Sequence, residues 1–195
     1  FTDRIGVSKA DSWIDYATLE ESMREVLNIS CERRIAVLDP IELEITNYPE
    51  NFEEDCFAPN HPLKPELEKR VVKLSKSLWI EREDFMEEPS KQFFRLYPGN
   101  MVRLRYGYVV KCTSFEKDAT GKISKILCEY LPDTKSCTPG SDSVKVKGNI
   151  HWVSKKHSYR GTIRLYDKLF SVEHPGSDDT NYLEQLNPNS CITIE

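Results

Sequence analysis

The run Val102-Arg103-Leu104-Arg105-Tyr106-Gly107-Tyr108-Val109-Val110 sets Val102, Leu104, Tyr106, Tyr108 and Val110 against Arg103, Arg105, Gly107 and Val109. A period of two is that of a β-strand with one buried face, because successive side chains leave a strand on opposite sides. The same period recurs where Ile41, Leu43 and Ile45 alternate with Glu42, Glu44 and Thr46. Segments 70–74, 78–81, 123–130, 144–147, 150–154 and 162–165 read as further short strands. Short strands punctuated by Pro, Gly, Asn and Asp clusters predict an all-β sandwich or barrel. Two stretches break the pattern and read as flexible loops: the acidic 47–57, and 132–143 with its Ser, Thr, Pro and Gly.

Before these strands the period changes. Thr18-Leu19-Glu20-Glu21 has the form of a capping box, with Thr18 accepting from the third helical amide and Glu21 reaching back. Leu19, Met23, Val26 and Leu27 follow at helical spacing, which predicts a helix ending near Asn28 with one face buried.

At 195 residues the chain can form one large domain or two small ones. A hydrophobic fraction of 38% and a charged fraction of 30% belong to a folded chain, not a disordered one. No apolar run approaches the roughly 18 residues of a membrane span, so no membrane partner is expected. The opening Phe1-Thr2-Asp3-Arg4 reads as the interior of a longer chain. The six cysteines include no Cys-x-x-Cys pair and the four histidines no zinc-like spacing, which predicts reduced thiols, a cytoplasmic protein and no metal site. The net charge of −5 hides a division. Segment 89–111 carries +5 and segment 144–168 carries +6, leaving −16 for the remainder. Two local basic segments are what a polyanion would meet.

Catalytic chemistry is hard to find. Lys73-Leu74-Ser75-Lys76-Ser77 looks like the KMSKS loop with which class I tRNA synthetases hold ATP phosphates. That loop works beside a nucleotide-binding fold and a HIGH-type motif, and His61, His151, His157 and His174 supply none. The run therefore reads as a solvated basic segment at a strand end. Gly-x-Ser-x-Gly is absent, and His151 beside Trp152 reads as a structural histidine of a β-rich core. No catalytic residue is expected in this segment.

A longer, ordered series of matches has more to say. Arg4-Ile5-Gly6-Val7-Ser8-Lys9, Asp39-Pro40, Pro59-Asn60-His61-Pro62, Lys91-Gln92 and Val102-Arg103-Leu104-Arg105 resemble the C-terminal, anticodon-binding region of glutaminyl-tRNA synthetases. So do the run from Val146 to Val153 and the run from Ile163 to Phe170. The resemblance covers nearly the whole chain. It implies a mainly β fold of two β-barrels, the distal one inserted in the proximal one, after a short helical segment. Residues 1–32 would be the helical tail of a catalytic portion. Residues 33–81 and 149–195 would form the proximal barrel, and 82–148 the distal barrel. Strands beyond Glu195 would complete the proximal barrel, so this segment alone would carry exposed edges and reduced stability.

The resemblance also implies a partner, tRNA(Gln), and a set of contacts. Single-stranded RNA loops are read by splaying bases onto aromatic or guanidinium planes and bonding their edges. Arg33 falls where the family reads the middle anticodon uridine, and Asn28 beside the loop. Gln92 and Arg95 fall at base-contacting positions, Arg95 at the third anticodon base. Arg103 and Arg105 match an arginine pair near the first base and its phosphate. Lys91 supplies phosphate charge, and Phe93, Phe94, Tyr97, Tyr106 and Tyr108 offer stacking faces. By composition alone, 102–110 is equally a half-buried strand with a solvated basic face. Departures from the family are Leu63, where bacterial relatives have Asn, Phe94 in place of a basic residue, and a diverged 156–161. ATP and magnesium would belong to the catalytic domain outside this segment, and the segment itself would bind no cofactor. Competing readings are the same domain of a glutamyl-tRNA synthetase, a ribosomal-RNA-binding barrel, and a protein-interaction barrel without an RNA role.

Overall fold

A computed structural model describes residues 1–10, 12–177 and 179–194. They divide into two compact units, 33–159 and 1–32 with 160–195.

The unit 33–159 is built on one seven-stranded sheet. Its members are β1 (Pro40–Ile45), β4 (Ser77–Glu81), β5 (Met101–Leu104), β6 (Val109–Lys117), β7 (Ile123–Tyr130), β8 (Gly148–Ile150) and β9 (Val153–Ser154). A separate antiparallel ribbon pairs β2 (Glu54–Pro59) with β3 (Lys69–Leu74). The sheet order is β8-β5-β6-β7-β1-β4-β9, parallel at β8–β5 and β7–β1 and antiparallel elsewhere. The edge strands β8 and β9 are consecutive in the chain, separated only by His151 and Trp152. The three steps from Ile150 to Val153 span at most about 11 Å even when extended, so the sheet must curl until its edges approach at this corner. Trp152, 1% exposed, fills it. Alternation does the rest. Ile41, Leu43, Ile45, Leu78, Ile80, Val102, Leu104, Val110, Ile126 and Ile150 all point into one core. The fold is mainly β, one curled, open sheet with short ribbons, and no second closed barrel stands among the described residues.

Several expectations need correction. The run 102–110 is not one strand but a hairpin, β5 and β6 joined at 105–108, with the Gly107 amide donating to Leu104 O at 2.7 Å. Burial does not alternate through the turn: residues 107–110 are all buried, and Tyr106, at φ 66°, takes the left-handed conformation usually left to Gly or Asn. The acidic 47–57 is partly ordered as β2. There Cys56 and Ala58 are buried while Asp55 meets Lys73 and Glu54 meets Lys135. Loop 132–143 is pinned rather than loose: the buried Thr134 hydroxyl accepts from the Val109 amide, and Ser136 donates to Gly107 O. Segment 144–147 is not a strand, since the ladder to β5 begins only at Gly148. The KMSKS-like run is the β3–β4 turn, where Ser75 is buried against Ser154 and Lys76 faces Glu44 and Glu50. His151 is not a core residue. It lies half-buried, 3.8 Å from Glu81.

The unit 1–32 with 160–195 contains α1 (Thr2–Ile5), α2 (Tyr16–Ser30), and the antiparallel pair β10 (Ile163–Tyr166) and β11 (Cys191–Ile194). The cap of α2 is Asp15, which accepts from the Ala17 amide at 2.9 Å, so Thr18 lies inside the first turn and the helix runs to Ser30. Its apolar face is not buried as expected. Met23, Val26 and Leu27 are 54%, 64% and 46% exposed, and Ser22 is the buried residue of α2. No large apolar side chain of this unit is buried among the described residues.

Candidate nucleic-acid interface

The hairpin β5–β6 is held rigid from below. The Arg105 amide donates to Ile150 O, and the Trp152 indole Nε1–H donates to Arg105 O at 3.0 Å. With its backbone fixed on both sides, Arg105 leaves its side chain exposed, the guanidinium 5.4 Å from the centroid of the Tyr106 ring. A guanidinium stacked on an aromatic ring keeps its edge N–H groups free for acceptors. Arg103, one pleat earlier, is differently employed. Its guanidinium donates to Thr134 O at 2.7 Å and to Ser141 O, fastening loop 132–143 to the hairpin.

Arg95 is set by its neighbours. Leu96 is fully buried, its amide donates to Asp84 O, and the Met86 amide donates to Leu96 O. Arg95 then extends outward, 46% exposed at its side chain, with Nη1 2.9 Å from Glu83 and 2.9 Å from Asp84. Those hydrogen bonds raise the guanidinium pKa further, Glu83 being the larger influence. Asp84 is buried, and desolvation raises its carboxyl above the usual range despite the opposing pull of Arg95. Its Oδ2 has no hydrogen-bond partner.

Lys91 and Gln92 are exposed on the preceding turn. Lys91 lines a cleft of about 400 Å³ with Phe93, Phe94, Tyr97, Lys145 and Lys147. Arg33 is half-buried at the start of this unit, where its amide donates to Asn60 O. Asn28 is exposed near the end of α2, in the other unit. Among the expected stacking faces, Phe94 is half exposed, but Tyr108 is buried and donates to Glu54 at 2.7 Å. Sequence reasoning missed Lys145 and Lys147. Their signal was the basic 144–168 segment, but only the β5–β8 pairing shows which of its cations lie beside Lys91. No cluster of three metal-ligating side chains occurs among the described residues.

A basic, aromatic-lined surface on a curled sheet is suited to an unstacked polynucleotide loop. Comparison with known proteins identifies the family. The model of the anticodon-binding domain of class I tRNA synthetases (E and Q) matches residues 31–131, and a second model of the same description matches 149–195. The chain belongs to this anticodon-binding domain family. Within it, this anticodon-binding domain is similar to glutamine–tRNA ligases. The similarity is 59% identity over 194 residues to that of Cupriavidus taiwanensis, covering 100% of the chain and 33% of the relative. It is 57% over 190 residues to that of Ralstonia pickettii, covering 97% and 33%. The Bordetella avium ligase is 55% identical over 195 residues, with 100% and 33% covered. The chain thus spans about a third of the length of the curated relatives it matches. Arg33, Lys91, Gln92, Arg95, Arg103 and Arg105 lie within the first family match, and Asn28 lies just before it.

Proposed function

We propose that this chain reads the anticodon loop of tRNA(Gln) as part of a longer protein that ligates glutamine to that tRNA. ATP and magnesium would act in the catalytic portion outside this chain, and the whole would work in the cytoplasm. The observation that carries the reading is the first family match, which spans the exposed Lys91, Gln92, Arg95 and Arg105 on one rigid hairpin and its neighbouring turn. In this reading Gln92, Arg95 and Arg105 bond base edges, with Arg95 at the third anticodon base and Arg105 at the first. Lys91 neutralises phosphate. Arg103 contributes by holding loop 132–143 in place behind Arg105, with any remaining N–H turned to the same phosphate. Arg33 contacts the middle base and Asn28 lies beside the loop.

The nested two-barrel arrangement is part of the proposal: 33–81 and 149–195 in a proximal barrel completed by further strands, 82–148 in a distal one, and 1–32 a helical tail. The start of the second family match at residue 149 supports that boundary.

The test is aminoacylation by the full-length protein. Arg95→Ala and Arg105→Ala should each lower kcat/KM for tRNA(Gln) by about tenfold or more, since a bidentate base contact is worth about 1–3 kcal/mol. Charging of tRNA(Glu) with glutamate in place of tRNA(Gln) with glutamine would move the assignment to the glutamate enzymes.

A further inference from the structure

We propose that the cleft between residues 89–101 and 145–148 is a subsite for one nucleotide of single-stranded RNA, with Lys91, Lys145 and Lys147 taking its phosphate and Phe94 and Tyr97 stacking its base. The inference rests on the RNA-binding reading above and adds to it two lysines that neither family model spans. Lys145 and Lys147 lie in 132–148, between the two family matches.

Three observations converge. The first is charge. The cleft is lined by three lysines and by no carboxylate. The cleft of about 370 Å³ at 44–53, 75–77 and 155–156 makes the contrast, for there Lys76 meets Glu44 and Glu50, and Lys156 meets Glu53. Lys155, which also lines it, pairs with Glu42. Cations already neutralised by carboxylates have little left for a phosphate, whereas Lys91, Lys145 and Lys147 have no ion pair among the described residues. The second is the aromatic wall. Lys147 Nζ stands over the half-exposed Phe94 ring, 5.0 Å from its centroid, so a positive charge and an aromatic ring share one spot. A nucleotide presents that pairing in reverse, an anionic phosphate joined to a flat base.

The third is construction. Gly148 pairs with Val102, and a Cβ placed on it would stand 2.2 Å from Phe94 O and 2.7 Å from Val102 Cγ1. Only a glycine lets 145–148 approach the Phe94 backbone so closely, and that approach brings Lys145 and Lys147 across from Lys91. The two basic segments, far apart in sequence, therefore form the two walls of one cleft.

The experiment titrates the full-length protein with a fluorescent tRNA(Gln) anticodon stem-loop between 50 and 200 mM salt. The K145A/K147A double variant should bind about tenfold more weakly at the low-salt end. Its log–log salt slope should flatten by about 1.4, two counterions at roughly 0.7 each for a single strand. Phe94→Ala should lose about tenfold with the slope unchanged, as expected for a lost stack. K155A/K156A should behave as the unsubstituted protein. If the unsubstituted protein shows salt-dependent binding and the double variant matches it in affinity and slope, the cleft inference is overturned and the anticodon reading stands. Loss of affinity at an unchanged slope in the double variant overturns the inference too, because that is a fold defect rather than a lost phosphate contact. If the unsubstituted protein does not bind the loop, the anticodon reading fails and the inference with it.

Discussion

Replacing Arg103 by alanine should loosen the fold before it touches RNA. Its guanidinium bridges Thr134 O and Ser141 O, two backbone carbonyls of a loop that has no strand ladder of its own. Hydrogen bonds from a charged donor are worth about 1.5–3 kcal/mol each, giving an upper range of about 3–6 kcal/mol. The loop is at the surface, so its freed carbonyls regain water and roughly half of that is recovered. A loss of about 1.5–3 kcal/mol remains. For a unit of this size about 4 °C accompanies each kcal/mol, so the melting temperature should fall by about 6–12 °C. Arg103→Lys should retain about half, because one ammonium cannot reproduce the planar fork that spans two carbonyls. Thermal melts followed by circular dichroism, run beside anticodon-loop titrations, separate the two roles. If Arg103→Ala melts within about 2 °C of the unsubstituted chain and yet loses loop affinity, Arg103 is an RNA contact and the anchoring argument is wrong.

Three other outcomes follow from the same structure. Asp84→Asn removes a buried carboxylate whose pKa burial has raised. A raised folded pKa stabilises at acid pH and is lost as pH rises through it, so the variant should match the parent near pH 3 and gain relative stability toward neutrality, measured by urea melts across pH. The thiols should split by exposure. Cys31, Cys137 and Cys191 should label quickly with an aromatic disulfide reagent at pH 8, while Cys56, Cys112 and Cys128 wait for denaturation. Burial pushes the Cys56 thiol up to about 11, so fast labelling of that residue would contradict its placement. Hydrogen exchange should protect β1, β6 and β7 far more than α2 and β10, because the first three share the core and the unit holding the others buries no large apolar side chain. Equal protection would show a core that this structure lacks.

Where periodicity reported burial directly, the sequence was a good guide. Ile41, Leu43 and Ile45 alternate in β1 and are all buried, and 123–130 forms β7 with the bounds expected. Turn chemistry was harder to see. The 105–108 turn carries Tyr106 at positive φ, where a Gly would have announced it, and in the sequence the period of two ran straight through. Acidic composition hid β2, because Glu54 and Asp55 are matched by Lys135 and Lys73 from distant parts of the chain. The helix began earlier than its capping box because Asp15, a better cap, lies three residues upstream of Thr18.

The interface was partly legible for a related reason. Residue type marks a cation, but only the fold says what already holds it. Arg95, Arg103 and Arg105 look alike in sequence. In the structure one is paired with Glu83 and Asp84, one pins a loop, and one stacks on Tyr106 with its edge free. Lys147 lay in the matched run from Val146 to Val153 and Lys145 just before it, with no role attached to either, and only the β8–β5 register sets them across from Lys91.

The most direct test of the central claim is a titration of this 195-residue chain with anticodon stem-loops of the glutamine and glutamate tRNAs, followed by fluorescence anisotropy at two salt concentrations. The account predicts tighter binding to the glutamine loop and weaker binding of both as salt rises. Equal affinity for the two loops, or binding indifferent to salt, would contradict it.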